Sequence, residues 1–170
     1  MTIRIKLTGG LGNQMFQFAA GYSIARKNNV ELSLDLRRYS RRIDHNGFEL
    51  QNVFDIYSKV NILNNPANFS FTNIKEFLNK IDITYSKFKE QHFHYTNEIL
   101  NIPKHSLLNG YWQSELYFKN YAQEIREIFS FFDGLDKKNL LIANDIEKND
   151  SISIHIRRGD YLLKQNNIFN

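Results

Sequence analysis

The sequence predicts an α/β protein built on a Rossmann-like parallel sheet, and three observations predict it. An alternating apolar segment at residues 3–8, "IRIKLT", runs into glycines at Gly9, Gly10 and Gly12. A stripe of apolar residues at helical spacing follows, and a second strand-like run, "VELSLDL" at residues 30–36, comes after it. Strand, glycine turn, helix and strand in that order form a βαβ unit, whose two strands lie parallel.

Each element follows from its residues. In "IRIKLT" the apolar side chains Ile3, Ile5 and Leu7 recur with the period of two that marks a strand. From Asn13 onward Met15, Phe18, Ala19 and Tyr22 fall on one helical face, and the helix is expected to end near Asn28 and Asn29. The stretch "MFQFAAGYSIA" has some of the look of a signal peptide, but Gln14 and Gln17 interrupt it and glycines precede it, so it reads as a helix. Residues 37–102 carry short apolar clusters among Asn-rich loops and predict no specific element. "LLNGYW" at residues 107–112 reads as a second buried strand, with Gln113 and Ser114 capping a helix after it. That helix places Phe118, Tyr121, Ala122, Ile125, Phe129 and Phe132 on one side and Lys119, Gln123, Glu124 and Glu127 on the other. Asp133 and Gly134 end it, a linker helix is expected over 134–150, and the β-branched "SISIHI" at residues 151–156 reads as a strand. The expected organisation is one domain over 1–133, the linker, and the beginning of a second Rossmann-like domain over 151–170.

Composition narrows the function classes. A chain of 170 residues accommodates one sizeable core, and its 14% aromatic content favours packed layers over disorder. It has no cysteine, which excludes disulfides and thiolate metal sites and makes a reducing, cytoplasmic setting the simpler expectation. A net charge of +4 and a pI near 9.2 permit a nucleotide, nucleic acid or membrane partner without choosing among them. No apolar run approaches the roughly 20 residues of a membrane-spanning helix.

Two clusters carry candidate chemistry. "GGLGNQ" at residues 9–14 lies where a phosphate-binding turn would lie, but Met15 stands in place of the last glycine of G-x-G-x-x-G and no P-loop ending follows. Two readings stay open: a tight turn with Asn13 capping the helix, or Asn13 and Gln14 presenting amides to sugar hydroxyls. The second cluster is "HIRRGDY" at residues 155–161, at the carboxyl end of an expected strand, where open parallel sheets bind ligands. In an extended run His155 and Arg157 share a face and Arg158 takes the other. An arginine fork suits a diphosphate, Asp160 can orient one guanidinium, and Gly159 permits a sharp turn. The competing reading is a structural ion-pair cluster. A basic run at Arg37, Arg38, Arg41 and Arg42 reads as a solvated loop or as a peripheral contact for an anionic lipid-linked acceptor or the inner membrane face. His92 and His94 lack a third ligand for a metal.

Taken together, "GGLGNQMFQFAAG", "GYWQSELYF" and "HIRRGDY" resemble the bacterial α-1,2-fucosyltransferases of glycosyltransferase family 11, with "GFELQNVF" at residues 47–54 a weaker fourth point. The resemblance implies a GT-B architecture of two Rossmann-like domains, residues 1–133 being the acceptor side. It implies inverting transfer of L-fucose from GDP-β-L-fucose to a galactoside in surface-glycan synthesis, of O-antigen or exopolysaccharide. No cofactor and no obligatory metal are implied. Catalytic roles carry over to Arg157, Arg158 and Asn13, and donor contacts to His155, Arg157, Asp160, Gly10, Gly12 and Gln14. By themselves these 170 residues are expected to bind GDP-fucose weakly and to transfer poorly or not at all. The rivals are a catalytically dead pseudoenzyme fragment and a basic nucleic-acid-binding module. Nucleic acid is not the expected partner, because the arginines gather at two loops with no interleaved aromatic and basic pattern along one face.

Overall fold

The computed structural model describes residues 1–41, 46–59, 62–63, 84–131, 134–154 and 156. It divides into two compact units, residues 1–133 and 134–170. The first holds a parallel five-stranded sheet of β1 (Thr2–Lys6), β2 (Glu31–Asp35), β3 (Ile62–Leu63), β4 (Ser86–Lys89) and β5 (Ser106–Asn109), in the order β3-β2-β1-β5-β4. β1 is central, with Ile3 in register with Leu32 on one side and Ser106 on the other.

The helix predicted after the glycines is α1 (Leu11–Asn28), and the βαβ unit is parallel as expected. It starts at Leu11, two residues before the predicted position, with Gly10 as its N-cap. It ends where Asn29 takes a left-handed conformation (φ 53°) and the N–H groups of Asn29 and Val30 bond back to Arg26 and Ala25. One apolar stripe understates its burial: every residue from Gln17 to Ala25 is buried. β1 departs from expectation in the same direction. Thr2, Ile3, Arg4 and Ile5 are all buried, as in a strand covered on both faces. Arg4 is accommodated there with its guanidinium 4.4 Å from the centre of the Tyr85 ring.

The basic run after β2 is a short helix, α2 (Arg37–Arg41), where a solvated loop was one of the expectations. α3 (Leu50–Val53) and α4 (Ile56–Lys59) follow, and Leu50 and Ile56 are fully buried in the core with Phe18, Leu34 and Leu108. The amphipathic helix expected after Ser114 is broken into 3-10 turns at Glu115–Tyr117 and Lys119–Tyr121 before α5 (Ala122–Ile128). Ser114 does cap the first turn, its hydroxyl accepting the Leu116 N–H at 3.4 Å. Tyr117, Ile125 and Ile128 supply the buried face; Phe132 lies outside the described residues.

In the second unit α6 (Lys137–Lys148) begins at Asp136, whose carboxylate accepts the Asn139 N–H at 2.8 Å. Residues 151–154 and 156 form no strand, contrary to the reading of "SISIHI". β-branched propensity alone does not hold a strand without a neighbour to complete its hydrogen bonds, and among the described residues none pairs with it. No helix among the described residues is long and apolar enough to cross a membrane.

Candidate functional site

The turn after β1 is built around Gly9. Its φ of +80° favours glycine, and the amide of Asn13 occupies the space a side chain would need, its Nδ2 lying 2.4 Å from where a Cβ would stand. Gly10 is extended, and Gly12 faces open space. The glycine that the turn requires is therefore Gly9, which the dinucleotide-fingerprint comparison passes over. Asn13 does not cap the helix, because no side chain caps α1. It stands half-buried in the first turn, its Oδ1 accepting a hydrogen bond from Gln113 Nε2 at 2.6 Å.

Its neighbour Gln14 has a different fate. The side chain is completely buried, and Nε2 donates to the carbonyls of Gly9 (2.9 Å) and Gly47 (2.8 Å). Its Oε1 accepts from the N–H groups of Glu49 (2.9 Å) and Leu50 (3.3 Å). Both donors and both lone pairs are used, so the amide expected to face the donor is instead the strut that ties residues 47–50 to the glycine turn. Gln17, one turn on, is equally buried. It accepts the Thr8 N–H and donates to the Gly110 carbonyl, each at 3.0 Å, joining the carboxyl ends of β1 and β5.

β5 leads into a second rigid turn. Glu90, just past β4, accepts the N–H groups of Tyr111 at 2.6 Å and Trp112 at 3.0 Å. Trp112 is held with φ +55°, rare for a bulky side chain, and is buried edge-on against Tyr117 at 5.6 Å. Gln113 emerges from this turn to reach Asn13. Sequence reading missed Glu90 altogether and took Gln113 for a helix cap; its place in "GYWQSE" was the available signal.

These turns surround a cleft of about 330 Å³ lined by Thr8, Arg38, Lys89, Glu90, Gln91, His92, Phe93, Asn109, Gly110 and Tyr111. It lies at the carboxyl ends of β1, β4 and β5. The chain leaves β1 toward β2 on one side and occupies β5 and β4 on the other, the switch point where open α/β sheets bind ligands. The rings of Phe93 and Tyr111, 6.2 Å apart, stand beside cationic, amide and hydroxyl groups. A cavity of about 580 Å³ between α1 and residues 115–129 is mainly apolar, with Met15, Phe16, Phe118 and Phe129 among its walls and Glu115 on it.

The basic run divides. Arg38 lines the cleft, whereas Arg37 is paired with Asp35, its Nε 2.8 Å and its Nη2 2.5 Å from the carboxylate. Burial pushes the Asp35 carboxyl upward, but the Arg37 hydrogen bonds and charge outweigh it and hold the group below the usual aspartate value. The side chain of Arg41 and all of Arg42 lie outside the described residues, as do His155, Arg157, Arg158 and Asp160. On the far side of α1, burial and a 2.7 Å hydrogen bond to Glu124 raise the Tyr22 hydroxyl to about 12, while Arg26, 2.9 Å from Glu124, lowers that carboxylate.

Comparison with known proteins gives the geometry a family. The family model described as "Glycosyl transferase family 11" matches residues 1–169. An alpha-1,2-colitosyltransferase of Escherichia coli is 38% identical over 164 residues, covering 92% of this chain and 54% of that protein. The O-antigen biosynthesis glycosyltransferase WbnK of Escherichia coli is 29% identical over 183 residues, covering 92% of this chain and 58% of that protein. The chain thus spans little more than half the length of these relatives, and no solved structure gives a significant match. By the match along 1–169 and the identity to its relatives, the chain belongs to glycosyltransferase family 11.

Proposed function

We propose that the protein is an inverting α-1,2-fucosyltransferase, moving L-fucose from GDP-β-L-fucose to a galactoside in O-antigen synthesis. The observation that carries this reading is the cleft at the carboxyl ends of β1, β4 and β5, where aromatic rings stand beside charged, amide and hydroxyl groups, in a chain of this family. One relative's name specifies an α-1,2 linkage and the other's O-antigen biosynthesis, which supports the linkage and the setting.

In this reading an acceptor hydroxyl attacks the anomeric carbon through an oxocarbenium-like state as GDP leaves from the opposite face. Negative charge grows on the departing diphosphate. Arg157 meets that charge, with Arg158, His155 and Asp160 in support, and such a preorganised donor is worth about 3–4 kcal/mol. The cleft of residues 1–133 takes the acceptor, with Asn13 beside the reaction centre. Gly10 and Gly12 let the donor approach the turn.

The test is transfer by the whole protein, with GDP-fucose and a β-galactoside, followed by linkage analysis of the product. An α-1,2-fucosyl product, and a fall in kcat of at least about a hundredfold in Arg157→Ala, are expected. Transfer of a different sugar, or an Arg157→Ala enzyme as fast as the parent, would overturn the assignment. GDP-colitose belongs in the same assay. Colitose lacks one ring hydroxyl that fucose carries, and a site that bonds that hydroxyl discriminates strongly against the deoxy sugar.

A further inference from the structure

We infer that Gln113 and Asn13 form a composite subsite that reads one un-ionised ring hydroxyl of the acceptor sugar, and that Gln113 is a specificity-determining residue. The inference rests on the transferase reading given above. Its basis is an amide couple joining the first turn of α1 to the turn that follows β5. Gln113 Nε2 donates to Asn13 Oδ1 at 2.6 Å, across 100 positions of sequence.

That bond leaves a defined remainder. Within the described structure Asn13 Nδ2, packed over Gly9, and Gln113 Oε1 make no hydrogen bond, so the couple keeps one unspent donor group and one unspent acceptor. A hydroxyl is both donor and acceptor and satisfies the two together, whereas a phosphate can use only the donor. The couple carries no charge and does not titrate near neutrality, which suits it to recognition and not to proton removal.

Both partners are held in place before any ligand arrives. Asn13 is seated over the Cα of Gly9, where any other residue would displace it. Gln113 stands between Trp112, which is buried and whose N–H, like that of Tyr111, is held by Glu90, and Ser114, which caps the next turn. Gln17 fastens the two loops to each other from beneath. Gly110 and Tyr111, just ahead of Gln113, form part of the cleft wall. Little freedom remains to be lost on binding, so a hydroxyl placed here contributes most of its hydrogen-bond energy to affinity. Gln113 itself is exposed, so replacing it removes no core contact.

The experiment uses the whole protein with methyl β-galactoside and its monodeoxy analogues. In the parent enzyme, removing one particular hydroxyl is expected to raise the acceptor KM about tenfold. Gln113→Ala is expected to raise the KM for the intact acceptor by a similar factor, with kcat and the GDP-fucose KM changed less than about twofold. The same deoxy analogue should then cost the variant nothing further. Saturation-transfer NMR without donor should show the matching loss of contact at that ring position. If the parent transfers normally and Gln113→Ala keeps every deoxy penalty, the subsite is wrong while the transferase reading stands. A GDP-fucose KM that moves in place of the acceptor's also overturns it. If the parent transfers no fucose and NMR detects no galactoside, both fall.

Discussion

Asn13 and Gln14 are adjacent amides with nearly the same chemistry and opposite employment. Gln14 points inward and gives all four of its hydrogen-bonding positions to backbone groups; Asn13 stays half-buried with a donor unspent. Gln14→Ala leaves buried carbonyls and N–H groups without partners and is expected to cost about 1–3 kcal/mol of stability. Asn13→Ala is expected to shift stability by no more than about 0.5 kcal/mol while lowering transfer about tenfold or more. Urea unfolding and transfer kinetics on the two variants decide it: equal losses of stability, or an active Asn13→Ala, would contradict the division. Residue types in "GNQ" announce an amide-bearing turn, but which amide turns inward depends on residues 47–50 arriving from elsewhere in the chain.

At the scale of elements, α1 is set by how closely it approaches the sheet. A Cβ on Gly21 would stand 3.0 Å from both Ile5 Cγ2 and Leu32 Cδ1, side chains of the two neighbouring strands. Gly21→Val is therefore expected to destabilise the protein by about 1–3 kcal/mol, measured as a lower urea midpoint. Gly21→Ala should cost less, because better helix propensity returns about 1 kcal/mol. A valine variant as stable as the parent would mean that α1 can lift off the sheet without penalty. The apolar period of α1 is readable because local spacing creates it. The break of the expected helix after Ser114 into two 3-10 turns and α5 is not, since Tyr117 must turn inward to meet Trp112 and Tyr95.

Across the molecule, two carboxylates make stability depend on acidity. Asp35 is held below its ordinary value of 3.8 and Glu124 below 4.5, both by arginine partners. A carboxyl group whose folded-state value is depressed adds stability that is fully present above the unfolded value and disappears as pH falls through the folded one. The melting temperature is thus expected to be insensitive to these groups from pH 7 to about 5 and to fall from about pH 4 downward. Asp35 carries more of the change, because the Glu124 pair is exposed and screened by solvent. Melting curves across that range, repeated on Asp35→Asn, would refute the account if the variant kept the parent's acid slope.

The sequence by itself determined the α/β class, the opening parallel βαβ unit and the family. Strand alternation, helix period and glycine turns are local signals, and three separated motifs in the right order are too specific to coincide by chance. Only the tertiary structure decided the order β3-β2-β1-β5-β4, the burial of both faces of β1, and the meeting of Asn13 with Gln113 and of Glu90 with residues 111–112. The physical reason is separation along the chain. A hydrogen bond between residues 13 and 113 has no local signature, and it exists because the packed sheet brings the ends of β1 and β5 side by side.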